Sequence, residues 1–261
     1  MKQLCNVFFV LISFACSQNI ISQTAAELIE QGDLYHKEFN HQKSLDSYLK
    51  ADKLLPGNWE ILWKISRAYV DLGNRMPDNS DEEKDARDEL YKKSFEYSDS
   101  SVKLAPDQSI PYVRRAIANG KIALSQDIFS ASSTVDEVKE DCERAIQLDN
   151  GESYYQSLAH YVLAKTHASV CENSYLIRLP LGLVWGDMDV AIREYQIAIK
   201  LKPNFRIYYL DLAKAYIEED EYELAKENLL MLEKAPFALE DDDEYLEEAK
   251  ALLLLVNEEL D

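Results

Sequence analysis

Three side chains that could hold a metal ion lie close together in the second half of the chain: His160, His167 and Cys171. Their spacing places them on one face of a helix. Imidazole and thiolate are preferred zinc ligands, so the three could bind zinc together with a fourth group. The two histidines also occupy positions where the helical pattern calls for bulky packing residues. We favour packing, and we predict no metal site and no cofactor.

Catalytic signatures are missing from the sequence: there is no nucleophile elbow, phosphate-binding loop, dinucleotide fingerprint, paired CxxC or HExxH. The 48 acidic residues are spread along helix faces and do not single out a general acid–base pair. We therefore predict a protein without catalytic residues. The net charge of −20 disfavours binding to nucleic acid and to anionic lipid headgroups. It favours solubility, or a partner with a basic face.

An apolar insertion lies at residues 175–185, broken by Pro180 and Gly182. One interpretation is that it packs across a neighbouring part of the protein. The other is a hydrophobic lip that docks a partner, because large exposed apolar patches usually bind something. Its apolar residues are Leu176, Ile177, Leu179, Leu181, Leu183, Val184 and Trp185.

A six-residue motif recurs four times along the rest of the chain. It consists of a small residue, two residues of which the second is polar, Leu, any residue, and then Pro or Asn. The copies are residues 51–56, 101–106, 145–150 and 198–203. Each is typical of the end of an amphipathic helix followed by a helix breaker. The residues that end the copies are 50, 44 and 53 positions apart.

Paired helices precede these endings, in the manner of the 34-residue tetratricopeptide repeat. In the first copy, Gly32 and Ser44 are small so that two helices can approach closely, and Tyr35 and Tyr48 fill the space beside them. The second copy carries extra residues, and Ser80 with Glu83 predicts a capping box that starts a lengthened helix. The sequence thus predicts an all-α, tetratricopeptide-like helix–turn–helix solenoid of about four to five irregular repeats. An apolar stripe within residues 241–260 predicts a C-terminal capping helix.

The first helix of each repeat lines the inner, concave surface of such a solenoid. Trp63 and Arg67 suggest an aromatic–cation anchor for a partner, although packing explains them equally well. The candidates on this surface are Ile29, Asp33, Trp63, Arg67, Val113, Ile117 and Lys121.

The N-terminus has the pattern of a signal peptide: Lys2, then an apolar run over residues 7–16, then a more polar segment over residues 19–22. We predict cleavage between Ser22 and Gln23, leaving residues 23–261 as a single domain without a transmembrane helix. Lipidation at Cys16 fits less well, because Ser13 replaces the usual Leu. The prediction is export, to the periplasm or beyond.

The chain resembles the regulator-of-microtubule-dynamics family over about residues 25–256. The segments that carry the resemblance are 62–69, 160–165, 191–204 and 209–216. This resemblance implies a non-enzymatic scaffold. Animal members are associated with microtubules, mitochondria, membrane contacts and, in some cases, lipids. An exported bacterial protein does not meet microtubules, so a microtubule-regulating role is only the last of three alternatives.

The leading prediction is an exported scaffold that binds a protein or peptide partner on its concave face. The second is a carrier of a hydrophobic ligand such as a lipid, supported by the apolar insertion and opposed by the net charge.

Overall fold

The computed structural model describes residues 24–261, and every element within them is helical. The predicted signal peptide over residues 1–22, with Cys16, lies outside the described residues. The chain divides into two compact units, the first ending at Ala105 and the second covering Pro106–Asp261. The prediction of a single domain over residues 23–261 stays a prediction, and each unit is described by itself.

The first unit consists of two helical hairpins, α1 with α2 and α3 with α4. Their bounds are 24–37 for α1, His41–Leu54 for α2, Trp59–Asn74 for α3 and Asp81–Leu104 for α4. The second unit consists of three hairpins and a last helix. Its hairpins are α5 (Ser109–Leu124) with α6 (Ile128–Leu148), α7 (Ser153–Cys171) with α9 (Met188–Leu201), and α10 (Arg206–Glu218) with α11 (Tyr222–Lys234), and α12 (Asp242–Leu260) ends the chain.

The four copies of the six-residue motif end helices as predicted, and each helix ends at the Leu of its copy. In every copy the backbone N–H of the residue after that Leu donates to the carbonyl of the small residue at the first position of the motif. In three copies the next residue is Pro, which lacks the N–H that would continue the helix. In the third copy Asp149 has a left-handed conformation, with a φ of 43°, and it ends the helix before Asn150. The four bonds are Leu55 to Ala51, Ala105 to Ser101, Asp149 to Ala145 and Lys202 to Ala198.

A glycine–tyrosine contact joins the helices of both hairpins in the first unit. A Cβ on Gly32 would collide with the ring of Tyr48, and a Cβ on Gly73 would collide with the ring of Tyr91. The hydroxyl of each tyrosine donates to the residue after the glycine: Tyr48 to Asp33 Oδ1 at 2.6 Å and Tyr91 to Asn74 Oδ1 at 3.1 Å. The predicted close approach at Gly32 is confirmed, and the second hairpin repeats it.

The lengthened helix of the second repeat is α4, with 24 residues. Ser80 caps its N-terminus by accepting from the backbone N–H of Glu83, and the Glu83 carboxylate accepts from the N–H of Asn79. The bond to Ser80 satisfies an N–H group that a helix start leaves without a partner, and the bond to Glu83 holds the residue just before the cap. The predicted capping box and the backward extension of this helix are therefore confirmed.

The predicted capping helix, α12, covers apolar residues of α10 and α11 that would otherwise be exposed. Ala249 and Val256 are fully buried against residues of those two helices. Asp242, also fully buried, accepts from the backbone N–H groups of Ala238 and Leu239 at the start of α12. The all-α, tetratricopeptide-like fold with a capping helix is confirmed. Among the helices of residues 24–261, none is long and apolar enough to cross a bilayer.

Candidate functional site

Two of the predicted partner-binding residues, Asp33 and Arg67, belong to one polar network in the first unit. Arg67 Nη2 donates to the hydroxyl of Tyr48 at 2.7 Å, and that hydroxyl donates to Asp33 Oδ1. Lys64 Nζ contacts both oxygens of Asp33, at 2.6 and 2.8 Å. The network links α1, α2 and α3 through residues 15 to 34 positions apart in sequence.

Burial and ion pairing shift the pKa values of the charged groups in this network in opposite directions. Burial raises the pKa of Asp33, but the hydrogen bonds from Lys64 and Tyr48, with the charges of Lys64 and Arg67, outweigh it and lower the pKa. Burial lowers the pKa of Lys64, although Asp33 opposes this change. A carboxylate that is held by two cations and a hydroxyl stabilises the packing of α1, α2 and α3. The bonds of this network therefore serve the fold.

Trp63 lies beside the network and packs against both cations. Its ring centroid is 4.7 Å from Lys64 Nζ and 5.3 Å from Arg67 Cζ. Trp63 is 5% exposed and Arg67 is 7% exposed, so a partner could reach little of either. Ile29 is partly buried and packs against the core of the same unit. A binding role for these residues stays a prediction.

The second unit contains a partly open cavity of about 510 Å³ between α5, α6 and α7. Two predicted partner-binding residues, Ile117 and Lys121, line it together, whereas Val113 is fully buried in the core. Most of the wall is aliphatic. The lining residues are Ala116, Ile117, Gly120, Lys121, Ala123, Leu124, Gln126, Ile128, Ala131, Val135, Val138, Leu158, Tyr161, Val162, Lys165, Thr166, Ser169, Val170, Glu172 and Asn173.

The cavity exists because small residues lie where three helices meet. A Cβ added to Gly120 would have no atom within 4 Å, so this position leaves open space. Ala116 and Ala123 lie on the same face of α5, four residues before Gly120 and three after it. This spacing of small residues is the sequence signal for open space beside α5, and it belongs to none of the catalytic or repeat motifs.

Charged groups at the cavity belong to a second network. Lys165 Nζ donates to Asp211 Oδ2 at 2.9 Å, and the hydroxyl of Tyr161 donates to the same oxygen at 2.8 Å. The Tyr161 ring stacks on Tyr208 with centroids 4.7 Å apart. Burial, with the charge of Asp211, raises the pKa of Tyr161, so this hydroxyl stays protonated. Two polar residues that line the cavity are therefore held in place by one carboxylate of α10.

The apolar insertion forms one short helix, α8 (Tyr175–Arg178), followed by two 3₁₀ turns, and it divides into a buried part and an exposed part. Leu183 is fully buried, and Trp185 Nε1 donates to Asp136 Oδ1 at 2.8 Å. In contrast, Leu176 is 81% exposed and Leu179 is 53% exposed, while Leu181 is partly buried. Packing therefore explains the end of the insertion, and its beginning presents apolar side chains to solvent.

The three potential zinc ligands do not converge. His160 Nδ1 lies 2.6 Å from Glu194 Oε2, and His167 is buried with its ring edge against Trp185. Cys171 contacts Arg178 Nη1 at 3.8 Å and is only partly buried. These groups stabilise the pairing of α7 with α9 and the insertion between them, in agreement with the packing interpretation.

Residues 28–257 match the family model described as Regulator of microtubule dynamics protein 1-3. A comparison with curated proteins gives no match.

The solved structures with folds similar to this chain include a tetratricopeptide-repeat protein. The thermophilic TPR protein TTC0263 of Thermus thermophilus is 17% identical, with 88% of this chain and 99% of that chain covered and a TM-score of 0.64. A chain of the APC/C hetero-tetramer Cut9-Hcn1 is 13% identical, with 93% of this chain and 41% of that chain covered and a TM-score of 0.61. MamA from Desulfovibrio magneticus RS-1 is 14% identical, with 81% and 94% covered and a TM-score of 0.50. At these identities the likeness shows the fold.

Proposed function

The chain belongs to the Regulator of microtubule dynamics protein 1-3 family, and we propose that it is a non-catalytic scaffold that binds an apolar segment of a protein partner in the cavity between α5, α6 and α7. The observation that carries this proposal is the cavity itself. Its volume lies within the range of about 300–1,000 Å³ that is typical of ligand pockets. Apolar side chains of a partner would fill the aliphatic wall that Ile117 and Leu124 provide.

The charge of the chain supports a partner with basic residues beside its apolar segment. This support comes from the net charge of −20 over the whole chain, since the cavity itself is lined by Lys121 and Lys165 as well as by the exposed Glu172. Complementary charge mainly raises the rate of association and excludes acidic partners. The apolar contacts in the cavity would supply most of the affinity, because fully desolvated contacts dominate binding energy.

A hydrophobic small molecule such as a lipid is the second candidate for the same cavity. The aliphatic wall favours it, and so do the exposed Leu176 and Leu179 of the insertion. The net charge opposes anionic headgroups. We also propose export of the chain, on the pattern of residues 1–22, and fractionation of the native host tests this directly.

The substitution Gly120→Leu tests the cavity proposal without disturbing the fold. The new side chain enters open space, and leucine is a better helix former than glycine by up to about 1 kcal/mol. We expect an unchanged or higher Tm and at least a roughly tenfold loss of partner capture, because the added side chain occupies the binding volume. Capture is measured by crosslinking and pull-down from the native host, followed by mass spectrometry.

A matched control places the same side chain on a solvent-exposed helix position. Ser100→Leu on α4 adds a leucine to an exposed site and is expected to leave capture unchanged. Organic extraction of the purified protein is the second arm of the test. A stoichiometric lipid that Gly120→Leu displaces would favour the carrier function, whereas full partner capture by Gly120→Leu would contradict binding in the cavity.

A further inference from the structure

Three side chains with metal-binding groups converge in the first unit, outside the sites described above. His36 lies in the last turns of α1, His41 is the first residue of α2, and Asp71 lies in α3. His36 Nδ1 is 3.2 Å from Asp71 Oδ2, and His41 Nδ1 is 3.9 Å from the same oxygen. One ligand atom from each residue lies within 4.8 Å of the other two.

The turn between α1 and α2 brings the two histidines together. Phe39 has a φ of 56°, a left-handed conformation that reverses the chain. The backbone N–H of Phe39 donates to the carbonyl of His36 at 3.1 Å, and that of Asn40 donates to the carbonyl of Tyr35 at 2.8 Å. Because α3 packs against α2, Asp71 reaches the same place from the second hairpin.

We infer that His36, His41 and Asp71 form a binding site for a divalent transition metal of the zinc type, with water at the fourth position. Zinc binds imidazole nitrogen and carboxylate oxygen at about 2.0–2.2 Å. In a tetrahedral site this places ligand atoms about 3.3 Å apart. The separation of 3.2 Å between His36 Nδ1 and Asp71 Oδ2 matches this value, and the 3.9 Å from His41 Nδ1 would shorten when the ion binds. Two imidazoles and one carboxylate also suit zinc, nickel or copper better than magnesium or calcium.

The site is partly buried, so an ion bound there would be shielded from bulk water but could still enter from solvent. The exposed fractions of the side chains are 10% for His41, 21% for Asp71 and 30% for His36. His36 Nδ1 and His41 Nδ1 both lie within ion-pairing distance of Asp71 Oδ2, at 3.2 and 3.9 Å. A shared ion would place all three atoms in one coordination shell. The ion would link α1, α2 and α3, which are otherwise joined by the Gly32 contact and the Asp33 network.

Nearby charges are compatible with a bound cation. Burial raises the pKa of Asp71, but the contact with His36 and the charges of His36, Arg67 and His41 outweigh burial and lower it, so the carboxylate is ionised. Arg67 is the cation that acts on Asp71 from α3. Its guanidinium already donates to Tyr48 and lies 3.4 Å from Asp33, which offsets part of its charge.

The test uses the full chain without a polyhistidine tag, stripped of metal by a chelator and titrated with Zn²⁺ in a calorimeter. We expect one equivalent to bind per chain and to raise Tm by several degrees when free Zn²⁺ exceeds Kd about 100-fold. His36→Gln and His41→Gln are expected to weaken binding by at least about tenfold. The affinity is also expected to fall on acidification, because protons compete for the imidazoles.

The chain supplies a matched control among its four histidines. His160→Gln removes an imidazole that contacts Glu194 in the second unit, and we expect it to bind Zn²⁺ like the unsubstituted protein. Asp71→Asn keeps the shape of the side chain and removes the ligand charge, so it tests the site if a histidine variant unfolds. Metal-free circular dichroism identifies any variant that does. Absence of stoichiometric binding, or equal affinity in the His36→Gln and Asp71→Asn variants and the unsubstituted protein, would overturn the inference.

Discussion

Gly32→Ala is expected to lower the free energy of unfolding of the first unit by about 1–3 kcal/mol, although alanine is the better helix former. The added Cβ would collide with the ring of Tyr48, which is fully buried and cannot swing into solvent. The collision would also disturb the bonds from Ser44 Oγ to the carbonyl of Gly32 and from Tyr48 to Asp33. Urea denaturation followed by circular dichroism gives the change.

The same substitution at Gly120 is the matched control, and its effect should have the opposite sign. A Cβ there meets no atom within 4 Å, so only helix propensity changes and stability should rise by about 0.5–1 kcal/mol. Gly73→Ala should behave like Gly32→Ala, because its Cβ collides with Tyr91. Equal effects at Gly32 and Gly120 would mean that the helices of the first hairpin do not meet at Gly32.

Val256→Asp is expected to destabilise the second unit by at least about 3 kcal/mol and to detach α12. Val256 is fully buried among residues of α10, α11 and α12, including Leu229 and Leu232. An aspartate there would be a buried carboxylate without a partner, so it must either stay charged in an apolar site or take up a proton. Limited proteolysis, together with the urea midpoint, would report both the detachment and the loss of stability.

Leu254→Asp is the control on the same helix, two residues away. Leu254 is 69% exposed, so an aspartate there should change stability by no more than about 0.5 kcal/mol. A similar loss from both substitutions would indicate that a change in helix propensity or charge, rather than packing of the cap, is responsible.

The sequence predicted the features that depend on local spacing. Leu54, Leu104, Leu148 and Leu201 end helices because each is followed, two residues later, by a helix breaker. Gly32 could be assigned to a helix contact because a small residue at that position of a repeat has a known packing role. The capping box of Ser80 and Glu83 is likewise a local pattern.

The arrangement of side chains across helices could not be predicted in this way. Helical periodicity placed Trp63 and Arg67 on the inner face, but their burial depends on Asp33 and Tyr48, which come from two other helices. The partner of His160 is Glu194, 34 residues away. The cavity, similarly, depends on how closely α5, α6 and α7 approach around Gly120, and no single helix fixes that distance.

Photo-crosslinking from the rim of the cavity tests most directly whether a partner binds there. A benzophenone amino acid replaces Leu124, which lines the cavity and is 66% exposed, or Leu104, an exposed leucine at the end of α4. If the cavity holds the partner, position 124 will crosslink to a discrete protein or lipid, position 104 will not, and Gly120→Leu will abolish the product. Equal products from both positions, or a product at position 124 that persists in Gly120→Leu, would contradict the proposed binding site.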